Sequence, residues 1–571
     1  MISKANRAAW AALSVLAAFL FQPAAAAPGP FADPAVAPEG RLAVTRPIAG
    51  DPVRIDSGLV SGTMLGNGVK AYFGIPFAAP PIRQYRWREP QPVRPWSGVL
   101  TANKMAAECV QPLRNNNIDH YFNDEDAAED CLYLNIWEPG SARAGQKLPV
   151  IVWIYGGGFT QGSASMPIYG GRNIARKGVI YVAINYRVGV FGFLAHPEAT
   201  RESGHGASGN WGLLDQVAGL KWVKRNIAAF GGDPGNVTIL GESAGSMSVN
   251  DLQASPLAKG LFQKAVGWSG AAVGPRQMPG LHDAEAEGTK LQSAMKAMSL
   301  AEMRALSSDK VVELAKSAGI RAEPIVDGYF LPRSPQAIFE AGAQSDVPIM
   351  VGSTTNDLGT DIVVAKAQNL ADYKAAATAM YGSKAASFLA AYPAANDAEA
   401  RSEAARASRE AGLGLGNRNW ARLQARTGHQ PAYMYRFDRQ EPFIAGVEIA
   451  DHPETRGIYH TTDIEYWLQN LDSLNMIHLT RDWTATDRKL SDTMSDILVN
   501  FAKSGQPAGG NVRLERYDPA HEQRLVLGDK IFLEDMNTAG MDFMTANPPA
   551  PRRPSPPAPT GPRTASPSSS Y

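Results

Sequence analysis

The sequence predicts an α/β protein with a mostly parallel central sheet and helices on both faces. Three observations carry that expectation. Short runs rich in β-branched and aromatic residues recur along the chain, a helical segment separates two of them, and one run ends abruptly on a serine between glycines. Strands of a parallel sheet are covered on both sides, so they read as nearly unbroken apolar runs rather than as alternation.

The runs are Leu148–Tyr155, Val179–Tyr186, Val237–Leu240, Ala265–Trp268, Ile349–Val351 and Ala432–Phe437. The helix is expected over Leu213–Phe230, where Leu213, Leu214, Val217, Leu220, Val223 and Ile227 return at helical spacing. Strands that alternate with helices build such a sheet, and its chemistry collects at the carboxyl ends of the strands.

The serine run obeys that rule. It reads Val237-Thr238-Ile239-Leu240-Gly241-Glu242-Ser243-Ala244-Gly245. Gly-x-Ser-x-Gly alone is a weak signal in a chain with 54 glycines. A strand before it and a helix of small residues after it supply the context of a turn that lifts a nucleophilic hydroxyl off the sheet. A nucleophile of this kind needs donors for the oxyanion it creates. Upstream, the strand ending at Tyr155 runs into Gly156-Gly157-Gly158-Phe159. Glycines there turn backbone N–H groups toward a developing charge without side-chain obstruction, and the N–H of Ala244 completes the set.

Composition narrows the partners. The chain has 571 residues, 44% hydrophobic and 19% charged, with 55 Lys+Arg against 55 Asp+Glu. A net charge of zero without a basic run argues against nucleic acid and anionic membrane surfaces as partners, since both require surplus positive charge.

The ends carry different information. Lys4 and Arg7 precede an apolar stretch from Ala8 to Phe21, then Pro23 and Ala24 to Ala27. That order reads as an export signal over 1–27, cleaved between Ala25 and Ala27. The apolar stretch is shorter than the roughly 20 residues that span a bilayer, so no stable membrane insertion is expected. A linker follows over 28–52, one large domain over 53–546, and a Pro- and Ser-rich tail over 547–571 too poor in apolar residues to order itself. Periplasmic or secreted location suits the two cysteines, Cys109 and Cys131, whose even number in an exported chain favours one disulfide. Two cysteines without a His-x-x-x-His helix give no metal site.

These residues resemble the type-B carboxylesterases, the group that includes bacterial p-nitrobenzyl esterases and animal cholinesterases. The likeness runs from about Val53 to Phe543. It is carried by Phe73-Gly74-Ile75-Pro76-Phe77-Ala78, Tyr85-Arg86-Trp87, Glu129-Asp130-Cys131-Leu132-Tyr133-Leu134-Asn135, Asn185-Tyr186-Arg187, Gly209-Asn210-Trp211-Gly212-Leu213-Leu214-Asp215-Gln216 and Phe230-Gly231-Gly232-Asp233-Pro234, besides the serine and glycine motifs. The resemblance implies an α/β-hydrolase fold, a small-molecule ester as substrate and no cofactor. It also implies a Cys109–Cys131 bridge.

The family's triad is carried over residue by residue. Ser243 is the implied nucleophile. His460, in His460-Thr461-Thr462-Asp463-Ile464-Glu465-Tyr466, is the implied base, ahead of its neighbours His452 and His478. The acid departs from the pattern. Where the family has Glu before Gly, counting from Gly352 lands on Asp357, and the glycine is displaced to 359; Asp361 is the runner-up. Asp is chemically adequate, because the role is to hold the imidazole tautomer and stabilise the imidazolium. Glu242 and Ser269 match positions that tune the histidine, with Ser269 as the expected bridge to the buried Glu242 carboxyl.

The implied reaction is hydrolysis of a carboxylic ester, with amide or carbamate hydrolysis as the alternative on the same triad. Adhesion-type relatives lose the nucleophile, which this chain retains. Cholinesterases carry a Trp in the disulfide loop that receives a quaternary ammonium. The matching stretch here, Ile118 to Asp126, has Tyr121 and no Trp. Its acids Asp119, Asp124, Glu125 and Asp126 read either as a cation trap or, the favoured reading, as a solvated loop. Neutral esters with short acyl or aromatic groups are therefore the expected substrates.

Overall fold

The structure is a computed structural model that describes residues 46–66, 68–111, 127–274, 278–358, 362–446, 457–476 and 479–548. The expected export signal, the tail from 549 onward and the stretch 118–126 lie outside the described residues. The described part of the 53–546 span groups into two compact units, one containing residues 46–358 and 412–536 and the other 362–411 and 537–548.

The first unit holds one large sheet. Its strands in chain order are β1 (Thr63–Met64), β2 (Val69–Pro76), β3 (Tyr133–Pro139), β4 (Leu148–Ile154), β5 (Ile180–Ile184), β6 (Gly232–Glu242), β7 (Lys264–Trp268), β8 (Ile349–Thr354), β9 (Ala432–Asp438), β10 (Gln523–Gly528) and β11 (Ile531–Asp535). In space they run β11-β10-β9-β8-β7-β6-β4-β5-β3-β2-β1. Every pairing from β5 across to β10 is parallel, and the pairings at both margins are antiparallel. All six runs read from the sequence are strands of this sheet, and β4 to β8 lie in the core as expected for strands covered on both faces. The outermost strand differs: Ile531, Phe532 and Leu533 of β11 are exposed.

The strand order reverses between β4 and β6. From β4 the chain moves to β5 on one side, and from β6 it moves to β7 on the other. The carboxyl ends of β4 and β6 thus lie side by side at the point where connections diverge, which is where open α/β sheets place their chemistry. Helix α1 (Trp211–Asn226) links β5 to β6. It ends four residues before the sequence pattern suggests, because Ile227–Phe230 tightens into a 3₁₀ turn that Gly231 terminates at φ 86°. Helix α2 (Ala244–Ala254) follows β6 directly, and α3 (Leu413–Thr427), α4 (Ile464–Trp467) and α5 (Ala485–Ser504) come later in the chain.

Two core features fix the strand ends. Trp153 of β4, Trp268 of β7 and Trp467 of α4 are fully buried. Their rings form a run with centroid separations of 5.6 Å and 5.5 Å. Arg187, after β5, meets Asp215 of α1 through its Nε and Nη2 at 2.7 Å each, both side chains lacking water contact. A buried pair of this kind is a weak source of net stability but strongly penalises loss of one partner.

The second unit packs helices Leu370–Tyr381, Ala385–Ala391, Asp397–Glu410 and Thr538–Ala546 around Phe388, which meets Tyr381 at 4.9 Å and Phe543 at 5.6 Å between centroids. No helix among the described residues is long and apolar enough to cross a membrane.

Cys109 and Cys131 are joined, closing a loop with a sequence separation of 22 residues. Replacing both by Ser should lower unfolding free energy by up to about 3 kcal/mol, the loop-closure contribution for that length. Urea unfolding of oxidised wild type and the double variant checks it; equal midpoints would show that the crosslink restrains nothing in the unfolded chain.

Candidate active site

β6 reaches Glu242, and the next residue turns sharply. Ser243 adopts φ 54° and ψ −122°, a region that side-chain-bearing residues rarely enter, and α2 begins at Ala244. The flanking glycines permit this by close approach. A Cβ on Gly241 would lie 2.3 Å from the Gly245 carbonyl, and one on Gly245 would lie 2.1 Å from Ile154 O. The turn is pinned by the Ser243 N–H donating to Trp268 O at 2.8 Å and by Met247 N–H donating to Ser243 O at 2.9 Å. The half-buried Ser243 side chain thus stands at the junction of β6 and α2, as the strand–turn–helix pattern predicts.

The loops that carry Asp357 and His460 are stitched together by backbone. After β8, Asn356 N–H donates to Ile458 O at 2.8 Å, and Ile458 N–H donates to Asn356 Oδ1 at 3.2 Å. The next residues on each side are thereby brought into contact. His460 Nδ1 lies 2.6 Å from Asp357 Oδ1, which also accepts from Leu358 N–H at 2.8 Å. The shorter Asp arm reaches because this pairing draws the loops close. Asp361, His452 and His478 lie outside the described residues.

A third loop completes the cluster. Beyond β4, Gly157 and Gly158 have φ 107° and 63°. The Gly157 carbonyl collects the N–H groups of Thr160 and Gln161 at 3.1 and 3.2 Å and the Thr160 hydroxyl at 3.1 Å. That turn fixes the peptide planes on either side. Among the described residues, no hydrogen bond uses the N–H of Gly157, Gly158 or Ala244, so all three remain available.

A strained serine beside unused donors and a carboxylate-bound imidazole describe a hydrolase, and comparison with known proteins names the group. The carboxylesterase family model matches residues 50–543. The chain belongs to the carboxylesterase family. It is 36% identical over 467 residues to fumonisin B1 esterase of Sphingopyxis macrogoltabida, covering 80% of this chain and 82% of that one. It is 34% identical over 493 residues to para-nitrobenzyl esterase of Bacillus subtilis (strain 168), covering 84% and 95%. Solved structures of a PNB esterase and a thermophilic PNB esterase superpose with TM-scores of 0.72 and 0.69 at 29% and 31% identity. They cover 86% and 85% of this chain, and 99% and 97% of their own. The fold is that of an α/β-hydrolase, and the protein is a carboxylic ester hydrolase.

In this carboxylesterase the histidine is crowded by acids. Glu242 Oε1 lies 3.1 Å from His460 Nε2, yet out of line for a hydrogen bond. No hydrogen bond joins His460 to the Ser243 hydroxyl in this resting arrangement. The expected bridge from Ser269 is not formed. Ser269 is buried with φ 53°, its N–H donates to Gly352 O at 2.8 Å, and its hydroxyl has no hydrogen-bond partner among the described residues. The Glu242 carboxyl instead turns toward His460 and the start of the glycine loop, where a Cβ on Gly156 would lie 2.7 Å from Oε2.

Two further residues shape the site. Asp463 is fully buried; its Oδ2 accepts from Tyr435 OH at 2.8 Å and Trp467 Nε1 at 3.3 Å. Its sequence signal was present, since the Asp463-Ile464 pair is the landmark that locates His460, but the pattern assigns it no role. Asn417 of α3 donates to Gly267 O at 3.2 Å and Gly352 O at 2.7 Å and accepts from Gly270 N–H at 2.9 Å, tying β7 and β8 to the segment that follows β7. No local pattern marks it. Among the described residues no three His, Cys, Asp or Glu side chains are grouped to hold a metal.

The electrostatics follow from dryness and charge. Burial pushes Glu242 up to about 8, against the pull of His460 and with a further push from Asp463 and Asp357. Burial pulls His460 down, but Glu242, Asp357 and Asp463 outweigh it and raise the imidazole to about 9. Burial likewise lifts Asp463 to about 6, opposed by the Tyr435 hydrogen bond. A raised imidazole keeps its proton to higher pH, and only its neutral form accepts a proton from a nucleophile. Activity should therefore rise with pH. Glu242→Gln leaves His460 beside a neutral group, so the acid limb of kcat/KM should move down by about one pH unit. A limb that stays in place or moves up would show that Glu242 does not act on the histidine's charge.

Proposed function

We propose that this carboxylesterase cleaves its ester with Ser243 as nucleophile, His460 as general base and then acid, and Asp357 as the orienting carboxylate. The observation that carries the reading is the 2.6 Å contact between Asp357 and His460 Nδ1. It fixes one proton on Nδ1, so that in the neutral ring the lone pair is on Nε2, at the side nearest Glu242, the residue that precedes Ser243. Alignment of Nε2 with the serine hydroxyl tightens when substrate fills the site, as is common for hydrogen bonds that are loose in free enzymes.

In the first half-reaction Ser243 Oγ adds to the ester carbonyl while Nε2 takes its proton. The carbonyl oxygen becomes an oxyanion that receives the N–H groups of Gly157, Gly158 and Ala244. Collapse expels the alcohol, which takes the proton back from His460, and the acyl group stays on Ser243. A water then repeats the sequence, with His460 as base, and releases the acid. The strained backbone at Ser243 supports this role, because it aims the side chain away from the sheet with no local hydrogen bond to break.

Neutral esters with short acyl or aromatic groups are the proposed substrates. Support comes from the lack of a Trp between Ile118 and Asp126 and from the likeness to an esterase named for para-nitrobenzyl esters. Export is proposed as well, on the charged and apolar order of residues 4–27, and the Cys109–Cys131 bond is compatible with it.

Ser243→Ala should cut turnover by several orders of magnitude and abolish fluorophosphonate labelling, while roughly 10³-fold acceleration over water survives on the oxyanion donors and binding. Near-native turnover in that variant would refute the mechanism. Asp357→Asn should lower kcat by about 10²- to 10⁴-fold and Asp361→Asn much less; the opposite ranking would move the acid to Asp361. Measured against a neutral isostere of equal length, a choline ester should show less than about a tenfold advantage in kcat/KM, a difference of about 1.4 kcal/mol.

A further inference from the structure

We propose that Gln111 is a positioning residue for the oxyanion hole, its carboxamide locking the glycine loop to the base of the disulfide loop. The inference rests on the assignment of Gly157 and Gly158 as oxyanion donors. Gln111 lies two residues past Cys109 and is 7% exposed. Its side chain pairs with a peptide as a neighbouring strand would. Nε2 donates to Gly162 O at 3.0 Å, Oε1 accepts from Gly162 N–H at 2.9 Å, and Nε2 also donates to Cys109 O at 2.9 Å. One carboxamide thus satisfies three buried backbone groups on two segments 51 residues apart.

Gly162 is the residue through which a displacement would reach the donors. It sits at φ 130°, so close to the loop's origin that a Cβ there would lie 2.6 Å from Gly156 O and 2.2 Å from the Tyr155 ring. Gln161, just before it, donates to Gly157 O. Movement of Gly162 is therefore movement of Gly156 and Gly157, whose peptide planes aim the donors. Two residues further on, the chain is held by other means: Ala164 N–H donates to Asn185 Oδ1 at 2.9 Å and Asn185 Nδ2 donates to Ala107 O at 3.2 Å. Among the described residues, Gln111 alone holds Gly162 by a side-chain hydrogen bond. The disulfide loop consequently acts as a buttress for the catalytic donors.

Gln111→Leu keeps the shape and strips all three hydrogen bonds. Gln111→Glu keeps the acceptor for Gly162 N–H but places a carboxylate against two carbonyls; protonation restores one donor. Both are compared with wild type by steady-state kinetics on a p-nitrophenyl ester and by inhibition with a trifluoromethyl ketone, which forms a tetrahedral adduct bearing the oxyanion. The expected result for Gln111→Leu is a kcat lower by about 10- to 100-fold with KM nearly unchanged, since a misaimed donor costs transition-state rather than ground-state binding. Ketone affinity should fall by the same factor as kcat/KM. For Gln111→Glu, kcat relative to wild type should recover as pH falls and the carboxyl takes up its proton. A kcat for Gln111→Leu within twofold of wild type, a loss confined to KM, or ketone affinity unchanged while kcat falls would each overturn the proposal. If Gln111→Leu does not fold, a Gln111→Glu ratio that is flat with pH overturns it instead. Wild type that neither binds the ketone nor takes a fluorophosphonate on Ser243 would remove the underlying mechanism, a result separate from any behaviour of the variants.

Discussion

Ser243 sits at a backbone angle where its own Cβ crowds the neighbouring peptide, and the surrounding structure is arranged to keep it there. Strain of this sort costs on the order of 1–3 kcal/mol and persists only where neighbours over-determine the conformation. Here they do. The N–H before the hydroxyl is tied to the end of β7, the carbonyl after it caps the first turn of α2, and the glycines on either side lie in backbone contact with β4 and α2. The tryptophans of β4, β7 and α4 hold those strand ends in a fixed relation. Because α4 follows His460 by a few residues, the same aromatic run also fixes where the imidazole can stand.

Charge is organised by a different rule. Three carboxyl groups, Glu242, Asp357 and Asp463, influence one imidazole in a region nearly free of water. Only Asp357 hydrogen-bonds the ring. Asp463 is held by Tyr435 and Trp467, and Glu242 stands beside the ring without a well-aligned bond. Asp357 sets the tautomer and also helps to hold the proton, while Glu242 and Asp463 act on the ring through their field alone.

Much of this was legible in the sequence because it is locally encoded. A strand, a sharp turn and a small-residue helix occupy nine consecutive residues around Ser243, and nothing distant is needed to read them. His460 is marked by its immediate neighbours and Asp357 by the count from Gly352, and the structure sets the Asp357 carboxylate against the His460 ring. The Ser269 bridge is not formed, and the Glu242 carboxyl instead lies against Gly156, over eighty residues upstream and beyond the reach of a local pattern. Asn417 and Gln111 escaped notice for the same reason. Each is an ordinary amide that joins groups the folded chain brings together, across sequence separations of up to 150 and 51 residues. The end of α1 was missed by four residues because a tightened turn preserves the apolar spacing that marked the helix.

The margin of the sheet obeys constraints of its own. β11 presents Ile531, Phe532 and Leu533 to solvent on a strand that, among the described residues, is paired along one side only, by β10. An open row of peptide groups with apolar side chains is a template for another chain, and proteins blunt it with short length and nearby charge. Here the strand is five residues long. Asp529 and Lys530 precede it, Glu534 and Asp535 close it, and Glu534 is clamped by Arg436 and Arg524. Three of the four charges that guard this last strand are carboxylates, Asp529, Glu534 and Asp535, so acid conditions that neutralise them weaken that guard while the apolar side chains stay exposed.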